Sequence, residues 1–388
     1  MDAAVALKEA DKIAEVAREH ASTTEAGHRL APAVVEALDA SGLRSWWLPT
    51  ELGGVGGDPA TMLEMDIRIA AGDASARWCA GIGLGANALA AVLDRDAAKE
   101  MFAGAPGGIG VFSPTGRLMP NGDGYDLAGR WPFSSNCQQA QWGAVGYMRF
   151  EGDRPVMGEG GPVTGLAFLR RDQFEIDENW DMAGLRGTGS HDVTATTTTD
   201  EAYLSDLFAP RWSDDALFRM RMFDLLGPGL GVVPFGIGRA ALDAATAHIE
   251  ATGDLPQRGP KPPFGVDVIS QAAFARIDTQ LRMAKAYELE QVNLAYEYAL
   301  RGDPTPREVT ARIAIGLHEG LDIATEAVNL AVQIIGTAAF REGSYIDRLR
   351  RDIQAVACHI LFHPANLAGL GRQAAGMHTV AWPFLPPD

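Results

Sequence analysis

Basic residues are in short supply in this chain. Thirty-three Lys and Arg stand against 50 Asp and Glu over 388 residues, a formal net charge of -17 at pH 7. That balance argues against nucleic acid as a partner, because phosphate binding needs a basic face. Cysteine is scarcer still: Cys79, Cys137 and Cys358 lie far apart and form no CxxC pair. Nothing there supports a disulfide framework or a zinc knuckle, and the pattern suits a reduced cytosol, so the expected location is cytoplasmic. The opening Met1-Asp2-Ala3-Ala4 lacks a basic stretch followed by an apolar core, so no signal peptide is expected. Long apolar runs are missing too. The longest, around Leu225 to Ile237, is broken by Gly and Pro and too short to span a bilayer, so no membrane is expected. No dinucleotide fingerprint is present. Gly81-Ile82-Gly83-Leu84-Gly85 falls inside a predicted helix, where close packing explains it better than a cofactor turn.

What is present is an ordinary globular composition, 47% hydrophobic and 21% charged, in a chain longer than one core usually serves. The spacing of apolar residues predicts helices over about 3–20, 30–41, 59–71 and 75–93. Gly42 reads as the stop of the second, and Asp58-Pro59 as the start of the third. From Gly107 the pattern changes to short alternating runs with the turn Asn121-Gly122-Asp123-Gly124. Beyond Pro210 helical spacing returns, over about 217–252, 266–301, 308–336 and 345–371. Four long helices with short links predict a bundle. The expected fold is therefore α+β. It has an N-terminal helical domain (1–106), a central β-domain (107–210) of barrel or sandwich type, and a C-terminal four-helix bundle (211–388).

The stretch with the most chemistry is Gly129-Arg130-Trp131-Pro132-Phe133-Ser134-Ser135-Asn136. It reads as a strand ending in two hydroxyls beside two aromatics, which suits a flat conjugated cofactor. A second candidate is the pair His359 and His363, four apart on a predicted helix and so on one face. No third ligand accompanies them for a metal, so a single functional imidazole is the better reading. His191 adjoins Ser190 and Asp192, but neighbours on a strand point to opposite faces, which makes a poor hydrolase triad.

Taken in order, the chain resembles the acyl-CoA dehydrogenase superfamily over nearly its whole length. The motifs are Leu48-Pro49 with Gly53-Gly54, Phe112-Ser113-Pro114, Gly129 to Asn136, and Gly184-Leu185-Arg186-Gly187-Thr188-Gly189-Ser190. Gln333-Ile334-Ile335-Gly336 and Arg350-Arg351-Asp352 complete the set. The resemblance implies a flavin between β-domain and bundle. Phe112, Ser113, Phe133, Ser134 and Ser135 would hold it, with Phe133 as an aromatic wall and Ser135 near the ring N5. Gln333 and Gly336 would touch the cofactor of a neighbouring subunit in a homotetramer.

One departure directs the functional reading. The superfamily's dehydrogenases keep a glutamate base where this chain has Ile360, and Asp224 is the nearest acid on the first bundle helix. One residue earlier stands His359, which resembles the oxygenase components of two-component flavin-dependent monooxygenases. The Asp73 to Trp78 segment also looks closer to that branch. The resemblance implies reduced flavin (FMNH2 or FADH2) from a separate NAD(P)H-dependent flavin reductase. With O2 it would form a C4a-hydroperoxide that hydroxylates an aromatic or polycyclic small molecule. His359 and Ser135 would be catalytic, the former removing a substrate proton. Trp78, Asn87 and His363 would line the substrate. The alternatives are an acyl-CoA dehydrogenase-like FAD enzyme with a displaced base, and a scaffold without catalysis.

Overall fold

A computed structural model describes residues 1–104, 107–252, 263–375 and 377. The sequence also predicts a loop carrying Pro256, Pro260, Pro262 and Pro263 between the first two bundle helices; all of these but Pro263 lie outside the described residues. Helices α1 (Ala3–Glu19), α2 (Ala21–Gly27), α3 (Pro32–Ala40), α4 (Pro59–Gly72), α5 (Ala74–Ala88) and α6 (Arg95–Met101) come first. Local chemistry sets their ends. Gly42 follows α3 with φ of 70°, the left-handed value that glycine takes at no steric cost. Asp58 caps α4 by accepting from the Thr61 N–H at 2.7 Å, with Pro59 in the first turn. Asp73 caps α5 through the Ala76 N–H at 2.8 Å.

The strands are β1 (Gly108–Asn121), β2 (Gly124–Trp131), β3 (Trp142–Glu151), β4 (Arg154–Pro155), β5 (Met157–Gly158), β6 (Gly161–Pro162), β7 (Thr164–Arg170), β8 (Glu175–Asp177), β9 (Asp192–Thr199) and β10 (Leu204–Ser205). All but β5 and β6 form one sheet, ordered β10-β7-β3-β1-β2-β9-β8, with β4 paired to β3. The β1–β2 hairpin pairs Asn121 with Gly124 across the Gly122-Asp123 turn, where Gly122 has φ of 61°. Strand β1 pairs in parallel with β3, and its register shifts between Val111 and Gly116. Trp131, wholly buried, closes the sheet interior and donates from Nε1 to the Gly146 carbonyl at 2.7 Å. Gly116 and Gly129 flank its ring so closely that a Cβ on either would sit 2.6 or 2.7 Å from it. The octapeptide is thus strand only as far as Trp131. Phe133 and Asn136 follow with φ of 61° and 70°, so the chain turns just before and just after the serines.

The C-terminal helices are α7 (Met222–Gly231), α8 (Val233–Thr252), α9 (Val268–Arg301), α10 (Arg307–Ile335), α11 (Tyr345–Ala357) and α12 (Pro364–Ala374). Two of the expected helices divide. The first breaks at Val232, two residues before Pro234, which has no N–H to bond back to the Leu230 carbonyl. The last ends at Ala357, and a 3-10 turn over Ile360–Phe362 precedes α12. Helix α10 packs on α8, α9 and α11, and α8 also packs on α4 of the N-terminal region. Met222–Thr252 and Arg307–Phe340 are long and apolar enough to cross a bilayer by length and composition, more than the interrupted sequence pattern indicates. Both are bundle helices, and the apolar window of the first is 83% buried against its neighbours.

Inside the bundle lies an acidic pair. Asp224 of α7 accepts from the Thr310 hydroxyl of α10 at 3.1 Å, and Glu288 of α9 has no hydrogen-bond partner on either oxygen among the described residues. Burial is the main cause that raises both carboxyls, Asp224 to about 7; the charge of Asp224 adds to the rise at Glu288, while the Thr310 hydroxyl, Arg221 and Arg211 hold Asp224 back. A folded-state pKa above the unfolded value of about 4 stabilises the fold fully at low pH and less as pH climbs through about 7. Asp224→Asn keeps an oxygen for Thr310 and removes the ionisation. Its melting temperature should exceed wild type at pH 8, with the gap narrowing by pH 5.5. An equal gap at both values would show that Asp224 is already ionised at the lower pH.

Candidate active site

Three parts of the chain meet at the site. Trp78 comes from α5, Ser135 from the loop after β2, and His359 from the turn after α11. The Trp78 and His359 rings meet edge to face, with centroids 5.3 Å apart at 80°. Trp78 Nε1 donates to Ser135 Oγ at 3.1 Å, and Ser135 Oγ pairs with Ser190 Oγ at 2.6 Å. Ser190 in turn meets Thr188 Oγ1 at 2.7 Å, and Thr188 donates to the Leu185 carbonyl at 2.8 Å. All four polar groups from Trp78 to Thr188 are buried.

The loop carrying Ser135 is held by backbone bonds to the 184–191 segment. Ser134 N–H donates to the His191 carbonyl at 2.9 Å and Asn136 N–H to the Thr188 carbonyl at 3.2 Å. That segment is anchored on the bundle. Asp352 of α11 accepts from the Leu185 N–H at 2.7 Å, and Gly184 lies so near the Arg351 carbonyl that a Cβ would sit 2.1 Å from it. Burial raises Asp352 to about 7, with the nearby charge of Asp73 adding to it.

His359 caps the 3-10 turn, its Nδ1 accepting from the Leu361 N–H at 3.3 Å. Asn366 of α12 clamps the same turn by donating to the Ile360 and Leu361 carbonyls at 2.9 and 3.0 Å. Burial pushes the His359 imidazole down to about 4, so it is neutral near pH 7. Accepting at Nδ1 places the ring proton on Nε2. The expected proton acceptor is therefore a weak one, and its free ring atom is a donor. Ile360, 54% exposed, stands beside it and brings no carboxylate.

Several expected site residues are placed otherwise. His359 and His363 do not share a helix, because α11 ends before both; His363 is exposed and caps α12 through the Ala365 N–H at 3.2 Å. Ser134 is wholly buried and donates to the Trp131 carbonyl at 2.9 Å, which turns it into the sheet. Asn87 is also fully buried and donates to the Arg44 carbonyl at 2.8 Å, tying α5 to the N-terminal turns. Phe133 is 66% exposed, edge-on to Trp180 at 6.2 Å, so it offers an open apolar face and no closed wall. Phe112 is half-buried and Ser113 exposed on β1. Gln333 is exposed near the end of α10, and Gly336 follows with φ of 73°. Asp224 is committed to Thr310 in the bundle interior. Thr188, Ser190 and Asn366 are the residues that sequence reasoning missed. The motif Gly184 to Ser190 was visible, but its hydroxyls gave no sign of pointing to Ser135. Asn366 has no local signal at all.

A flavin fits this chemistry on what the residues themselves show. There is an aromatic edge at Trp78, a buried hydroxyl at Ser135, an exposed apolar ring at Phe133 on a left-handed backbone, and a neutral imidazole. Among the described residues no group of three or more His, Cys, Asp or Glu could hold a metal ion.

The fold and site define a flavoprotein of acyl-CoA dehydrogenase-like architecture, and residues 229–364 match the acyl-CoA dehydrogenase, C-terminal domain family. The chain is 32% identical to the indole-3-acetate monooxygenase of Pseudomonas putida, over 88% of this chain and 86% of that one. It is 28% identical to the flavin-dependent monooxygenase oxygenase subunit HsaA of Mycobacterium tuberculosis, over 94% and 93% of the two chains. The crystal structure of the M. tuberculosis HsaA monooxygenase superposes with a TM-score of 0.88 at 22% identity, covering 100% of this chain and 99% of that one. XiaF from Streptomyces, solved with FADH2 and glycerol, gives 0.88 at 22% identity over 99% and 98%; at that identity both structures speak for the fold alone. The chain belongs to the flavin-dependent monooxygenases, oxidoreductases that use reduced flavin and O2.

Proposed function

We propose that this chain is an oxygenase component that hydroxylates an electron-rich aromatic small molecule, an indole or a phenol. The observation that carries it is the His359–Trp78–Ser135 constellation, with an apolar Ile360 where a dehydrogenase would need a base. The Trp78 ring offers an edge to an aromatic substrate. The reaction balances as one C–H and one O2 with two electrons and two protons giving C–OH and water. The two electrons come from a separate NAD(P)H-dependent flavin reductase, since this chain has no nicotinamide fingerprint of its own. Bound reduced flavin supplies the activation of O2 and the transfer of one oxygen atom. Trp78 shields one side of the reacting space, Ser135 holds the ring edge, and neutral His359 orients the substrate through its Nε2–H. Low water access protects such a reaction from side products.

The residues Gln333 and Gly336 at the end of α10, with exposed Phe340 beyond them, support a homotetramer. Exposed Val266, Val268 and Ile269 at the start of α9 give further apolar surface for association. The solution mass should be about four times 41.3 kDa by light scattering. The three free thiols, two of them buried, suit the cytoplasm. The electrons arrive on reduced FMN or reduced FAD.

The test is rapid mixing. Protein with reduced flavin and oxygenated buffer should give a transient near-UV absorbance distinct from reduced and oxidised flavin. Addition of an indole or phenol should then yield a hydroxylated product. Immediate oxidation without the transient, together with flavin reduction by an acyl-CoA, would favour the dehydrogenase alternative.

A further inference from the structure

Three buried hydroxyls line up behind the Trp78 indole. Ser135 Oγ is 2.6 Å from Ser190 Oγ, which is 2.7 Å from Thr188 Oγ1, which is 2.8 Å from the Leu185 carbonyl oxygen. Each gap is a hydrogen-bond length, so each holds one proton. There are three gaps and three hydroxyl protons. A carbonyl has no proton to give, so Thr188 fills the last gap. Ser190 then donates to Thr188, and Ser135 donates to Ser190. No other assignment fills all three gaps, so the direction of the chain is fixed from its carbonyl end. On the other side Trp78 Nε1, a donor only, points at Ser135 Oγ from 3.1 Å. Ser135 therefore has its proton committed and one of its two lone pairs taken. What remains is a single acceptor site.

We propose that Thr188 and Ser190 are positioning residues that fix Ser135 as a hydrogen-bond acceptor, and that the site thereby selects reduced over oxidised flavin. This inference rests on the monooxygenase reading. Reduced isoalloxazine carries N–H at its N5, and oxidised isoalloxazine carries a bare lone pair there. An N–H satisfies the open site on Ser135. A bare nitrogen sets lone pair against lone pair, in a place where Ser135, Ser190 and Thr188 are 7%, 5% and 2% exposed and water has little room to relieve it. The selection is built into the order of protons along the hydroxyl chain. A serine at position 135 alone would not provide it, because a free hydroxyl can turn to give or to accept.

The experiment measures binding of reduced FMN and FAD under anaerobic conditions, and of the oxidised forms in air. It compares wild type with Ser190→Ala, Thr188→Val and Trp78→Phe. Ser190→Ala removes the acceptor for the Ser135 proton and lets that hydroxyl donate. Affinity for oxidised flavin should rise about tenfold, and the preference for reduced flavin should fall by the same factor. Thr188→Val, close in shape, should move the preference in the same direction by a smaller factor. Trp78→Phe opens a second acceptor site without freeing the proton, so the preference should not fall. A purely structural role would weaken both redox states alike. An unchanged preference in both Ser190→Ala and Thr188→Val overturns the inference while leaving the monooxygenase reading intact. Failure of wild type to bind either redox state overturns that reading itself. If Ser190→Ala does not fold, Thr188→Val decides.

Discussion

Replacing His359 with asparagine should lower product formation by about two to four orders of magnitude, the usual contribution of a positioned proton donor or acceptor. Asparagine is the informative substitution because it can still cap the Ile360–Phe362 turn. The Leu361 N–H keeps an acceptor, and the Asn366 clamp on the turn is untouched. What disappears is the ring and its Nε2–H. Binding of reduced flavin should therefore stay near wild type, and O2 should still be consumed, now releasing hydrogen peroxide in place of hydroxylated product. Single-turnover product yield against O2 uptake checks this. Full hydroxylation by the variant would remove His359 from the chemistry. The pH behaviour adds a second readout. With its imidazole held down to about 4 by burial, His359 stays neutral from pH 6 to 8, and no charged side chain enters that balance. Product formation should show no limb near 6.5 in wild type. Stability has the matching sign: this histidine's contribution is complete above about 6.5 and is lost as pH falls toward about 4.

The second large effect concerns the frame behind the site. Arg77 of α5 is fully buried, pairs with Asp66 of α4, and donates to the Gly229 carbonyl of α7 beside Pro228. One guanidinium thus joins three helices, including the one interrupted at Val232. Arg77→Met leaves Asp66 buried without its counterion and should cost about 3–5 kcal/mol of stability near neutral pH. Burial already raises Asp66 to about 6 even with Arg77 present. The variant's deficit should therefore shrink at pH 5, where Asp66 takes up a proton. Arg77→Met with Asp66→Leu should recover most of the loss, since a buried ion pair is often replaceable by well-packed apolar residues. Urea unfolding of the single and double variants at two pH values checks each part. A double variant no better than the single would mean that Arg77's bond to Gly229, and not the stranded carboxylate, dominates.

Much of the helical framework was legible because its signals are local. Asp58-Pro59, Asp73 and Gly42 are read from one or two residues and act within one turn. The helical spacing of α9 and α10 is likewise a property of contiguous sequence. The site was legible only in outline. Ser135 and Trp78 stood in recognisable stretches, but their hydrogen bond joins residues 57 positions apart. Ser134 and Ser135 look equivalent in sequence. Left-handed turns at Phe133 and Asn136 flank them, and one hydroxyl goes to the Trp131 carbonyl and the other to Ser190. His359 and His363 look like partners on a helix face because nothing in the spacing shows that the helix stops at Ala357. The stop is held by Asn366, nine residues further on and bonded backward to the turn. Contacts of this kind form only after the tertiary fold brings distant segments together.

Leu185 carries a demand that extends to any recombination of this fold. It is a branched residue with φ of 50°, its N–H held by the last long helix and its carbonyl ending the hydroxyl line. Hybrids that exchange C-terminal helices between relatives should work only when the aspartate and the Gly184–Ser190 loop travel together. A mismatched graft would fold as separate good halves and still misaim its oxygen-handling chemistry.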